Sequence, residues 1–289
     1  MPTCLACRGA GAFYAKKNGY NVYRCDACRS LFVFPMPSIA EIAAVYDTAE
    51  YFFGGSAHGG YANYDEDKEP MRKTFLNILG LLKGYAGGTQ TLLDVGAATG
   101  YFVALARQNG WDASGIELSS HAVEIAHKKN IPVTQGALVS AALGGSYDVV
   151  TLWDVIEHVP DPDQNLDVVF RLLKPGGVAA FITPKADAWW ARLMGPRWHL
   201  LVPPEHLACF TTSAMRIMLA RHGLDVVGVR SVAKRFTLPY ILHTAANWLS
   251  VPMLRSAANA AKKWPWAGTA AIPLNFHDNM LVIAQKNRS

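Results

Sequence analysis

Between positions 91 and 182 the chain repeats one alternation of patterns. Short continuous apolar runs are followed by turns, and then by segments whose apolar residues recur three and four positions apart. The runs at 91–95, 112–116, near 133, 147–152 and 178–182 predict strands, and the segments 101–109, 120–129 and 162–173 predict helices between them. A later helix, 213–222, stops at Gly223. Strands at 225–230 and 279–285 complete a set of seven. Upstream, 69–83 places Met71, Phe75, Ile78, Leu79 and Leu82 on one helical face. Ser38 caps a short helix at 39–46, with Glu41 at the capping-box position. The stretch 51–61 is aromatic and glycine-rich with no period, so it reads as a loop: either a linker, or a flap that brings Tyr51, Tyr61 and Tyr64 to a pocket.

Strands alternating with helices imply an α/β, doubly wound sheet with parallel central strands. Two insertions interrupt the plan, at 184–212 and 231–278. The organisation expected is therefore a unit at 1–36, a linker and helical cap at 37–88, and the α/β core at 89–289.

The first 36 residues carry different chemistry. Cys4 and Cys7 form one Cys-x2-Cys pair, Cys25 and Cys28 another, and 17 residues separate the two. Two such pairs complete a tetrahedron of thiolates around one Zn²⁺ with no open position, so a structural zinc ribbon is expected. Disulfides would need an oxidising compartment. The opening Met1-Pro2-Thr3-Cys4 has neither a basic nor an apolar stretch, so a secretory leader is not expected and a cytoplasmic setting is. Cys209 has no sequence partner and reads as a small core residue rather than a nucleophile. Composition is ordinary for a soluble protein, and the net charge of +5 is too mild to argue for nucleic acid by itself.

The sequence Leu92-Leu93-Asp94-Val95-Gly96-Ala97-Ala98-Thr99-Gly100-Tyr101-Phe102, followed by Gly115-Ile116-Glu117, opens the sheet. A dinucleotide fingerprint needs G-x-G-x-x-G, whereas Gly96 and Gly100 are four apart with Ala98 between them. Asp94 at the strand end would repel a diphosphate. An acid beside a compact turn suits a ligand with a cationic amino-acid tail and an adenosine ribose, namely S-adenosylmethionine. These residues resemble the first motif of the class I S-adenosylmethionine-dependent methyltransferases. Tyr147-Asp148-Val149-Val150, Trp153-Asp154-Val155-Ile156-Glu157-His158-Val159 and Leu172-Leu173-Lys174-Pro175-Gly176-Gly177 extend the likeness, in order. The resemblance implies a Rossmann-like, seven-stranded sheet. It also implies cofactor contacts from Asp94, Gly96, Ala98, Gly100, Phe102, Glu117, Leu118 and Asp154. Glu117 would accept from the ribose hydroxyls, Gly96 would let the backbone approach the methionine part, and Asp154 would face the sulfonium or the amine. Ala98 departs from the usual middle glycine, and Gln135-Gly136-Ala137 lacks the acid that often meets the adenine amine.

A hydroxyl or carbon acid must lose a proton before methylation, which makes histidine the natural base. Glu157-His158 follows strand four, and Glu205-His206 lies in the first insertion. The run Glu205-His206-Leu207-Ala208-Cys209-Phe210-Thr211, together with a four-cysteine ribbon, resembles the sugar C-methyltransferases acting on nucleotide-linked keto-sugars. That resemblance implies Glu205 and His206 as the catalytic pair, with His158 as the second candidate. Pro203-Pro204 stands where that group often has an aromatic, and residues 1–289 span its ribbon and core without its additional C-terminal domain.

From 226 to 277 there is no Asp or Glu, yet Arg230, Lys234, Arg235, Arg255, Lys262 and Lys263 occur beside Trp248, Trp264 and Trp266. A basic, Trp-bearing segment reads as a helical lid or as peripheral membrane contact through 231–277. The leading expectation is methyl transfer to a sugar or cell-surface glycan intermediate, nucleotide- or lipid-linked. The alternative is O-methylation of a lipophilic small molecule such as a quinone precursor at the membrane surface. An rRNA methyltransferase is disfavoured, because Lys and Arg do not cluster on the ribbon beyond Lys16-Lys17 and no Asn-Pro-Pro-aromatic motif follows strand four. The non-enzyme reading is a scaffold that binds cofactor without turnover.

Overall fold

The computed structural model describes residues 1–38, 69–86, 90–141, 144–232 and 276–287, with short pieces at 41–42, 88, 234–237, 242, 256–257, 260–261 and 271–274. The helix expected at 39–46, the loop bearing Tyr51, Tyr61 and Tyr64, and most of 231–277 fall outside them. What is described at Ser38 is the capping box itself. The Glu41 amide donates to Ser38 Oγ at 3.2 Å, and the Ser38 amide donates to Glu41 Oε2 at 2.8 Å.

Three strands open the chain: β1 (Gly11–Lys17), β2 (Tyr20–Cys25) and β3 (Leu31–Val33). After helix α1 (Arg72–Leu82) the alternation runs β4 (Thr91–Val95), α2 (Tyr101–Gln108), β5 (Asp112–Glu117), α3 (Ser120–Lys128), β6 (Val133–Gln135), β7 (Tyr147–Trp153), α4 (Pro162–Leu172) and β8 (Leu173–Pro184). Then come α5 (Trp189–Met194), β9 (Ala208–Cys209), α6 (Thr212–Arg221), β10 (Leu224–Ser231), β11 (Lys234–Thr237), β12 (Ala271–Leu274) and β13 (Asn279–Lys286). The main sheet has the order β10-β13-β8-β7-β4-β5-β6, with β4 to β8 parallel and β13 antiparallel between β8 and β10. The seven strands are those expected. The exception in length is β8, which begins at Leu173 rather than 178 because Leu173 pairs with Tyr147 before a register shift. In the second insertion, β11 and β12 pair antiparallel as a stem.

Side chains alternate faces along each strand, so both faces of the sheet carry a core. Leu92, Val178, Ala180, Ile182, Leu281 and Ile283 pack with the α1 residues Phe75, Ile78, Leu79 and Leu82. Leu93, Phe181, Met280 and Val282 face the other way, toward Leu166 and Val169 of α4 and Met215, Met218 and Leu219 of α6.

The cysteine-bearing strands join this second face, and their Cys4, Ala6, Cys25, Cys28 and Phe32 belong to the same cluster. Their sheet, β1-β2-β3-β9, takes its fourth strand from the first insertion, with Leu31 opposite Cys209 and Phe32 opposite Ala208. Around this seam, Thr211 Oγ1 donates to the Cys28 carbonyl at 2.7 Å and accepts from the Ala214 amide at 3.1 Å, capping α6. Arg8 and Arg221 both pair with Asp163, and His222 Nε2 lies 3.0 Å from the same carboxylate. Burial pushes the Asp163 carboxyl up, but His222 and Arg8 outweigh it and hold the group below its ordinary range. Among the described residues no helix is long and apolar enough to cross a membrane.

Thr211→Val is expected to destabilise the protein by about 2–3 kcal/mol, since a helix cap and a buried acceptor lose their partner together. Urea denaturation checks this, and a loss under about 0.5 kcal/mol would separate the seam from stability.

Candidate active site

Ligands of doubly wound sheets lie beyond the carboxyl ends of the strands. At that edge β4 ends in Asp94-Val95, β5 in Glu117 and β7 in Trp153. The turn after β4 is built on left-handed backbone. Gly96 has φ +71°, and a Cβ there would meet Val155 Cγ2 at 2.6 Å. Gly100 has φ +80°, caps α2, and would meet Ile131 Cγ2 at 2.7 Å. Gly96 is therefore required by its packing on the loop after β7, in addition to any approach of cofactor. Ala98 and Asp154 are also left-handed, at φ +47° and +53°.

Glu117 holds this turn. Its Oε2 accepts the Ala98 amide at 2.8 Å and its Oε1 accepts the Ser119 amide at 2.9 Å. Asp94 is 2% exposed and accepts the Thr151 hydroxyl at 2.6 Å. Leu118, beside Glu117, is 63% exposed and presents an apolar surface at the same edge. Phe102 is buried and lines a small cavity with Phe75, Asp94, Gly96, Ala97, Tyr101 and Trp153. Phe102 and Trp153 meet edge to face at 5.1 Å and 84°, and Tyr101 donates to Glu69 Oε2 at 2.7 Å. Phe75 and Trp153 were not among the expected site residues. The helical stripe of Phe75 reads as plain core, and Trp153 closes an apolar strand.

The two histidines, alternatives in the sequence, lie together. Leu207 donates its amide to the Glu157 carbonyl at 2.8 Å, which ties the loop after β7 to the first insertion. The rings of His158 and His206 then meet edge to face at 4.8 Å and 69°. His158 Nδ1 lies 2.7 Å from the Glu205 carbonyl, and His206 Nδ1 lies 2.5 Å from the Leu200 carbonyl. A carbonyl can only accept, so Nδ1 carries the proton in each ring and Nε2 is the basic nitrogen of the neutral form. Glu157 is fully buried and accepts the Thr183 hydroxyl at 3.0 Å. Burial pushes the Glu205 carboxyl up to about 7. Cys209 is buried, and burial drives its thiol upward.

The four ribbon cysteines bring their sulfurs within 4.8 Å of one another, with Cys4 to Cys28 at 3.5 Å and Cys7 to Cys25 at 3.3 Å. These separations exceed a disulfide bond of about 2.05 Å and approach the S···S edge of about 3.8 Å in a tetrahedron with 2.3 Å Zn–S bonds. Both knuckles read Cys-x-Ala-Cys-Arg. In each, the arginine is left-handed (Arg8 φ 64°, Arg29 φ 63°) and returns its amide to the first cysteine's carbonyl. That internal likeness is visible in the sequence itself.

A methyltransferase-domain family model matches residues 64–229, more than half of the chain. The chain belongs to this family. It is an S-adenosylmethionine-dependent methyltransferase. The ubiquinone biosynthesis O-methyltransferase of Methylococcus capsulatus is 29% identical over 199 residues, covering 62% of this chain and 82% of that enzyme. The enzyme of the same name from Pectobacterium atrosepticum is 30% identical over 149 residues, or 47% of this chain and 62% of that one. Among solved structures, the magnesium protoporphyrin IX methyltransferase of Synechocystis with bound S-adenosylhomocysteine aligns with TM-score 0.53 at 13% identity, over 86% of this chain and all of that one. That likeness shows the fold.

The methyltransferase core folds best with Glu205 protonated, whereas the unfolded chain ionises it near 4.5. Stability contributed by the protonated form is therefore lost as pH rises from about 4.5 to about 7. Glu205→Gln removes this loss. Its stability relative to the parent is expected to rise by about 2–3 kcal/mol between pH 4.5 and pH 8. Urea unfolding at both pH values reads this directly, and a pH-independent difference would contradict it.

Proposed function

We propose that this methyltransferase methylates an oxygen of a lipophilic small molecule, with the His158–His206 pair receiving the proton. The observation that carries the reading is the histidine pair, each ring fixed through Nδ1 to a backbone carbonyl at the exit of β7. Support for an oxygen acceptor comes from relatives named for quinone O-methylation. When bound, S-adenosylmethionine supplies the methyl group and a thioether leaving group. Glu117 and Leu118 would hold its adenosine end, Gly96, Ala98, Gly100 and Phe102 its middle, and Asp94 and Asp154 the amine or sulfonium. Nε2 of His206 or His158 would accept the acceptor's O–H proton.

A second reading, a keto-sugar or glycan acceptor, nucleotide- or lipid-linked, is favoured by the ribbon lying against the Glu205-His206 segment. We further propose that the ribbon holds one structural Zn²⁺, and that the enzyme works in the cytoplasm with 231–277 toward a membrane surface. For the metal the support is the four-thiol set; for the membrane it is the absence of acidic residues from 226 to 277.

His206→Ala is expected to lower turnover by about 10²- to 10⁴-fold while cofactor affinity stays constant. Turnover with a catechol or quinol and with dTDP- and UDP-keto-sugars, in parallel, decides between acceptors. Activity on the sugars alone would replace the first reading with the second. Elemental analysis is expected to find one zinc per chain, lost in Cys4→Ser, and a metal-free parent protein would remove the zinc assignment.

A further inference from the structure

Trp153 occupies an unusual position for an indole. It ends β7, is 9% exposed, and lines the cavity beside the glycine turn together with Asp94, Tyr101 and Phe102. Its Nε1 is buried, and among the described residues nothing accepts from it. A buried N–H without an acceptor is costly, so such a group on a residue that lines a cavity points to a ligand. Trp111 also buries an Nε1 without an acceptor, but it precedes β5 and sits at the strand-start edge, away from the ligand.

The order of the strands then selects the acceptor. β5, β4 and β7 are consecutive neighbours, so Glu117, Asp94 and Trp153 stand in a row along the ligand-binding edge. Glu117 suits the ribose hydroxyls, and Asp94 suits a cationic ammonium. An N–H donor is repelled by both the ammonium and the sulfonium. The cofactor's one anionic group is its methionine carboxylate, which lies at the end opposite the adenosine. The indole is also held in place, with Phe102 edge-on at 5.1 Å and Phe75 at 6.1 Å, so little freedom is lost when it donates.

We propose that Trp153 Nε1–H donates to the methionine carboxylate of S-adenosylmethionine, making Trp153 a cofactor-binding residue that selects the intact amino-acid end. The inference rests on the cofactor assignment above. The test is calorimetric titration of the parent protein and Trp153→Phe with S-adenosylmethionine and with its decarboxylated form. The substitution is expected to weaken S-adenosylmethionine by about 10- to 100-fold, the effect of a hydrogen bond to a charged group. Affinity for the decarboxylated form should change by less than about threefold. An equal loss for both ligands, or no loss for either, overturns the proposal. A parent protein that binds neither ligand overturns the cofactor assignment itself.

Should Trp153→Phe not fold, the parent protein labelled with ¹⁵N-tryptophan gives the same answer. One of its eight indole N–H resonances should move downfield with S-adenosylmethionine and not with the decarboxylated form. Identical indole spectra with the two ligands would overturn the proposal.

Discussion

Residues 207–211 are hydrogen-bonded on several sides at once. The Leu207 carbonyl accepts the Val33 amide of the ribbon, the Leu207 and Ala208 amides reach the Glu157 carbonyl, and the Phe210 carbonyl accepts the Ala186 amide. Thr211 closes the run on Cys28 and Ser30. Leu207, Ala208, Cys209 and Phe210 are all buried, so these backbone groups have no water to turn to and the bonds are obligatory. Every feature of the histidine site hangs from this segment. It brings His206 to His158, sets the ribbon against α6, and anchors the first insertion to the end of β8.

The same insertion is held at its far side. Lys17 Nζ, at the end of β1, donates to the Trp198 carbonyl at 2.9 Å, and Asn18 Nδ2, in the β1–β2 turn, donates to the Pro203 carbonyl at 2.9 Å. Trp198, fully buried, donates Nε1 to Asp278 at 3.0 Å just before β13. The loop bearing Glu205 and His206 is thus fixed by contacts from the ribbon, the sheet and the residue before the last strand, the rigidity that the proposed base would require.

The sheet and its ligand edge were legible in the sequence because they are local. Continuous apolar runs, helical stripes and a glycine turn each specify their own few residues, and strands 91–95 and 112–116 stand where those patterns put them. The cysteine knuckles were legible for the same reason. What could not be read was the pairing across long separations. β9 is two residues long, too short for any period to declare it, yet it joins the ribbon to the core. The contact of His158 with His206 follows from that pairing, so the sequence could only hold the two as alternatives. The role of Gly96 was read toward the ligand, and its contact with Val155 depends on a loop 59 positions later in the chain.

The partnership of β3 with β9 also orders the birth of the molecule. The ribbon's cysteines precede β8 in the chain, but the fourth strand of their sheet is synthesised only after β8, and the helix capped at the Cys28 carbonyl only after that. Until then the apolar side of the ribbon, with Phe32 and Val22, has no cover, and closing the seam joins residues separated by most of the chain. On a growing chain the four-stranded sheet can be completed only once residues 208–209 have been made. A growing chain carries an unfinished ribbon for most of its synthesis, an interval in which a chaperone or a metal would meet it half-built.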